Sequence, residues 1–403
     1  MTKRIRQGAV IAVAGLLAAA TACTGQQSTP PGFAGRQLSA DGGGSGAGGV
    51  GADGAGTFTL LASGDILPHS SVIDRAAADA GGRGYDFRPM LKGSVPAVSG
   101  ADLAICHMET VYGQDGGPYT GYPTFKSPPE VAQALRSTGY DSCSTASNHT
   151  LDDGAPGIGR TLDALDKAGI AHAGSARSSA EAGRPTLLKA GRGKRAPKVA
   201  HLAYTYGTND MPLPAGQPWA VNLIDRDRIV TDARAARRAG ADVVVLSLHW
   251  GTEWQDEPDE DQLALGRELT ASVTGGRPDI DLILGTHAHV PQAYEKVNGT
   301  WIVYGMGDHV AGAMVNHDGA QDPRGNESSM GRFTFAPPDR AGERWTVSKA
   351  EFIPHRFDPV TGRAWNLDAA VEGGADHRRE ARDRIRDVVL SRGAGQDGLV
   401  MGK

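Results

Sequence analysis

Cysteine is scarce in this chain, three in 403 residues, so any metal site has to be built from other donors. Charge of one sign is not concentrated either. Lys and Arg total 41 against 46 Asp and Glu, a formal net charge of −5 spread without long runs, which argues against a nucleic-acid partner. Past the N-terminus no apolar run reaches membrane length, and there is no internal repeat. What is present is enough chain for one large α/β domain or two small ones.

The apolar run near the start, Ala9 to Ala20, follows Lys3, Arg4 and Arg6 and leads into Thr21-Ala22-Cys23. A basic start, a short apolar stretch and small residues before a break describe an export signal. A cysteine directly after small residues predicts a lipoprotein-type signal over residues 1–23, cleaved before Cys23, with the lipidated Cys23 anchoring the chain to the membrane outside the cytoplasm. Such signals usually carry Leu three residues before the cysteine. Ala20 stands there instead, which keeps plain secretion as the alternative. Residues 24–56 are Gly, Ser, Pro and Ala with almost nothing apolar to bury, the composition of a disordered tether.

From about Thr57 strand-like and helix-like segments alternate. FTLLASG, DLAICHM, YDSCSTAS, KVAHLAYTYG, DVVVLSLHW, DIDLILG and TWIVYG read as strands, and the segments between them carry helix caps and stops such as Asp225 and Gly169. The expectation is an α/β domain over 57–365. Its later segments RFTFAP and WTVSKAEFIP are expected to pair antiparallel and close a second sheet. Residues 366–403 read as a charged helical tail with few core-facing positions. Cys106 and Cys143 each fall late in a strand, which leaves two readings: a disulfide between neighbouring strands, or two small buried thiols.

Polar clusters sit where these strands end: Asp65 after FTLLA, Glu109 after DLAIC, Asn148-His149 after YDSCSTA, His249 after DVVVLS, and His287-Ala-His289 after DIDLILG. Each alone has a bland explanation, since Gly-Asp is turn chemistry and Asn a helix cap. Jointly they place ligand-type side chains at the sheet edge where open α/β sheets bind ligands. Asp, Glu, Asn and His without thiolates suit two divalent ions such as Mn, Fe or Zn, with a carboxylate bridging them. His149 is then free to give a proton to a leaving group, oriented by Asp152.

The set and its order resemble the calcineurin-like metallophosphoesterase superfamily, and more closely its CapA branch, named for poly-γ-glutamate capsule biosynthesis. The matching motifs are Gly64-Asp65, His107-Met108-Glu109, Ser147-Asn148-His149 with Asp152-Asp153-Gly154, His249-Trp250-Gly251-Thr252-Glu253, Gly285-Thr286-His287-Ala288-His289-Val290 and Gly305-Met306-Gly307-Asp308-His309. The resemblance implies a calcineurin-like α/β fold, a sandwich of central β-sheets flanked by helices. It implies that Asp65 binds one metal or bridges both, that Glu109 takes the place of a bridging carboxylate, that Asn148, His249 and His287 serve one metal and His289 the other, and that His149 is the catalytic acid.

Departures from the pattern are as informative. Leu67 stands where the superfamily has a histidine, and His69 is the nearest substitute. His107 replaces the usual Asn and Thr286 a usual His, and the ligand scheme needs neither. At the last motif Asp308-His309 replaces Asn-Phe, leaving His309 either at the site mouth or on the surface. Two functions follow: an exported metal-dependent hydrolase acting on an envelope polymer or phosphoester, or a non-catalytic factor that binds or exports an anionic polymer beside other capsule-synthesis proteins. Substrate choice falls to loops 111–127, 205–220 and 310–330.

Overall fold

The structure is a computed structural model that describes residues 56–403 apart from 192, 194 and 341. The expected signal, Cys23 and the tether as far as residue 55 lie outside the described residues. The first sheet is built on four parallel strands, Phe58–Leu67 (β1), Leu103–Met108 (β2), Ser142–Ser144 (β3) and Ala171–Ala173 (β4), side by side in that order. On the far side of β1 it continues antiparallel through Glu327–Ala336, Thr346–Asp358 and Arg363–Asn366. Asp308–Ala311 pairs with the end of β1, and Leu399–Met401 with Thr346–Asp358, making nine strands.

The second sheet has six strands. Thr300–Val303, Leu282–Thr286, Val243–His249 and Lys198–Thr205 run parallel, with Tyr294–Val297 and Thr186–Lys189 antiparallel at the edges. The fully apolar strand explains the layering. Val243 and Val245 face the first sheet in one core cluster, whereas Val244, Leu246 and Leu248 pack with Ile229, Val230 and Ala233 of the helix Arg226–Arg238 in another. Successive side chains alternate between faces, so only a strand covered on both sides is apolar throughout. β1 behaves alike, with Leu60 in the core between the sheets and Leu61 under the helices of the first sheet. The architecture is the expected α/β sandwich of sheets flanked by helices.

Three expectations are corrected. RFTFAP and WTVSKAEFIP do pair with each other, but they extend the first sheet instead of closing a second. The first half of β1 has an open edge opposite β2, and Gly331–Phe335 fills it. Residues 366–403 are part of the domain. The helix Arg379–Val389 has few apolar positions, but Ala381, Ile385 and Val389 fall on one face at i, i+4 and i+8 and are buried in the inter-sheet cluster, and Leu399 pairs with Ala350. His309 is at neither the mouth nor the surface. It is 1% exposed, its Nε2 lies 2.9 Å from Ser94 Oγ, and its ring packs on His355. The two cysteines stand opposite each other in β2 and β3 and form a disulfide, which resolves the open choice. Among the described residues no helix is long and apolar enough to cross a membrane.

Candidate metal centre

Strand register puts one row of polar residues across the end of the first sheet. Asp308, Asp65, His107 and Ser144 are successive partners on four adjacent parallel strands, so their side chains point the same way. Gly64 makes the row possible. A Cβ there would stand 1.8 Å from the Gly307 carbonyl oxygen, which accepts the Asp65 N–H at 3.0 Å. Glu109 follows β2 directly and is 1% exposed.

The second sheet supplies the facing side. His249 ends its strand, with Nδ1 3.2 Å from Thr286 Oγ1 and Nε2 3.0 Å from Asn148 Oδ1. The neighbouring strand ends at Thr286, so the two histidines after it are not an extended alternating pair. Both turn through positive φ, 96° at His287 and 59° at His289, a left-handed conformation that side-chain-bearing residues rarely hold and that collects at functional sites. The turn lets the His287 N–H donate to Asp65 Oδ2 at 3.2 Å and brings His289 Nδ1 3.0 Å from Asp308 Oδ1.

Two donor sets result. Asp65, His107 and His249 bring one donor atom each within 4.8 Å of one another, and so do Asp65, Glu109, His289 and Asp308. Asp65 belongs to both. Asn148 reaches the first set through His249. The His287 ring lies 4.7 Å from that of His249, centroid to centroid, but contributes a donor to neither set. His69 also stands outside both; its Nδ1 accepts the Gly312 N–H at 3.2 Å. Leu67 is packed in an apolar cluster with Phe125, Ala311 and Met314. Sequence reasoning left out His107 and Asp308 as donors, although both were visible as departures from the motif.

His149 follows Asn148, and its Nδ1 lies 2.8 Å from Asp152 Oδ2. The Gly- and Tyr-rich loop supports the pair. The Phe125 N–H donates to the same carboxylate oxygen at 2.6 Å, and the Phe125 ring meets His149 edge-on at 4.7 Å. Tyr206, half exposed, covers the His287 ring at 4.5 Å from the other side.

The charges in this site call for a cation. Burial, then the neighbouring Asp308 charge, raises the Asp65 carboxyl well above its ordinary range. Burial, then Asp65, does the same to Glu109, and burial raises Asp308. Burial, then His287, pushes His249 well below the usual imidazole value, and burial, then His289, does the same to His287. Burial disfavours the charged form of His289, but the carboxylates of Asp308, Glu109 and Glu253 outweigh it and hold its pKa high. Asp65 Oδ1, both Glu109 carboxylate oxygens, Asp308 Oδ2, His107 Nε2 and His287 Nδ1 are buried with no hydrogen-bond partner among the described residues. Unpaired buried carboxylates are strongly unfavourable, and convergent oxygen and imidazole donors of this kind fit a divalent metal ion.

As a class, this is a two-sheet α/β protein whose parallel strand ends gather carboxylates and imidazoles around one shared aspartate. Residues 59–313 match the family described as "Bacterial capsule synthesis protein PGA_cap", more than half of the chain, and the chain belongs to that family. It is 28% identical over 217 residues to a Mycobacterium tuberculosis protein named "Probable polyglutamine synthesis accessory protein", covering 52% of this chain and 55% of that one. To the "Capsule biosynthesis protein CapA" of Bacillus anthracis it is 26% identical over 185 residues, 45% of this chain and 42% of the other. The chain thus spans about half the length of the curated relatives it matches. The solved calcineurin-like phosphoesterase YfkN of Bacillus subtilis overlays with a TM-score of 0.44 at 14% identity, over 82% of this chain and 99% of that one.

Proposed function

We propose that this chain is an exported, membrane-anchored protein of anionic capsule-polymer synthesis, of the poly-γ-glutamate kind, and that it works as a divalent-metal-dependent hydrolase at the strand-end site. Lipidation at Cys23 and the tether to residue 56 would hold the domain outside the membrane, where other capsule-synthesis proteins act. Two ions of the Mn, Fe or Zn type, when bound, stabilise charge on the attacking and leaving oxygens of a displacement at phosphorus. Asp65, common to both donor sets, would serve both ions, with Glu109, Asp308 and His289 holding one and His249, beside Asn148 and His287, the other. Asp308 orients the His289 ring through Nδ1, and Asp152 does the same for His149, leaving the His149 Nε2 to protonate the departing oxygen.

The observation that carries this reading is the His149–Asp152 pair. A protein that kept its metals only as structure has no use for a carboxylate-oriented imidazole beside them. The test is hydrolysis of bis(p-nitrophenyl) phosphate by the full chain with Mn²⁺, Fe²⁺ or Zn²⁺, alongside His149→Ala. Turnover that needs metal and His149 supports the hydrolase. Absence of turnover with every metal, while poly-γ-glutamate binding survives His149→Ala, replaces it with a polymer-binding or export role.

A further inference from the structure

His107, a buried member of the polar row, has no role in the scheme above. His107 is 2% exposed, deep between the sheets, and its ring stacks on that of His249 with centroids 4.8 Å apart. Its Nδ1 lies 2.5 Å from Ser144 Oγ, the next position in the row. A ring held at Nδ1 by a neighbouring hydroxyl presents Nε2 as its open donor. That Nε2 has no hydrogen-bond partner among the described residues and stands 3.5 Å from Asp65 Oδ1. A buried imidazole nitrogen left unpaired is unfavourable, so this one calls for an occupant. Leu67, in its apolar cluster, brings no nitrogen to this side of Asp65.

We propose that His107 is a metal ligand in this chain: its Nε2 completes, with Asp65 and His249, the donor set of one divalent ion, and Ser144 is the residue that orients it. The assignment rests on the metal-site reading above. It differs from a purely structural role, in which His107 donates a hydrogen bond to Asp65 and meets no ion.

The metal-free full chain is titrated with Co²⁺, with stoichiometry and affinity read by calorimetry and ligand geometry by the visible absorption of bound Co²⁺. His107→Asn is expected to weaken one class of site by at least about 10-fold to 100-fold and to change the spectrum, with the other class intact. Asp65→Asn is expected to disturb both classes. Wild-type stoichiometry, affinity and spectrum in His107→Asn, beside a damaged Asp65→Asn, overturn the assignment and leave the metal site standing. A wild-type chain that takes up no Co²⁺ overturns both. Should His107→Asn fail to fold, anomalous diffraction from the Co²⁺-loaded wild-type chain decides. A peak about 2.1 Å from His107 Nε2 supports the ligand, and peaks only beyond bonding distance overturn it.

Discussion

Asp65 and His107 are register partners on adjacent parallel strands, and the imidazole Nε2 of one stands 3.5 Å from a carboxylate oxygen of the other. Together with Asp308 and Ser144 they show how the site is made. Backbone pairing, not loop folding, sets one half of it, so a disturbance of β1 is a disturbance of the donors. Gly64→Ala would drive a Cβ into the Gly307 carbonyl, at 1.8 Å in the present geometry. The expected outcome is a loss of metal uptake in a chain destabilised by about 1–3 kcal/mol, read by metal analysis and denaturant unfolding. Full metal occupancy in Gly64→Ala would separate the donors from the β1 register.

The His149–Asp152 pair predicts a split between chemistry and metal binding. Removing a general acid lowers kcat by about 10²-fold to 10⁴-fold. His149→Ala should fall in that range with metal content unchanged, and Asp152→Asn should lower kcat less, because it loosens the ring without removing it. Steady-state kinetics with metal analysis on the same preparations checks both. A matching loss of metal in His149→Ala would make it a ligand instead of an acid.

His201 links the two sheets, with Nδ1 2.9 Å from Ser142 Oγ and Nε2 2.9 Å from Ser247 Oγ. Burial, then the nearby charge of His172, pushes its pKa down to about 3. The folded value lies below the unfolded one near 6.5, so the unfolded chain binds the proton first. The stability contribution is complete above pH 6.5 and is lost as pH falls toward 3, at about 1.4 kcal/mol per pH unit. In His201→Gln the slope of unfolding free energy against pH between 4 and 6 should be shallower by about that amount. Parallel slopes for wild type and variant would contradict it.

The C-terminal helix supplies a packing test. Ile385 is 1% exposed in the core between the sheets. Ile385→Ala should destabilise the chain by about 2–5 kcal/mol by leaving a cavity. A change under about 0.5 kcal/mol, the usual range for surface positions, would return residues 366–403 to the status of an appended tail.

Much of this was legible in the sequence, and for physical reasons. Apolar strands with abrupt polar ends identify parallel, doubly covered strands and the edge where they stop, which is why Asp65, Glu109, Asn148, His249, His287 and His289 could be named as a group. His107 and Asp308 were missed because their place beside Asp65 depends on which strands are neighbours, and pairing is non-local. The tail was misread because three buried positions among many charges look like a solvated helix until the surface they face is known. His309 shows the converse: a histidine one residue beyond a site residue on a strand points to the opposite face, where Ser94 and His355 receive it.

The most direct test of the account is the divalent metal content of the full chain after equilibration with Mn²⁺ or Zn²⁺, compared with Asp65→Asn of the same fold by circular dichroism. Because Asp65 is common to both donor sets, the account predicts about two ions per wild-type chain and less than about one in the variant. A wild-type chain without bound metal, or an Asp65→Asn variant that binds as much, would contradict it.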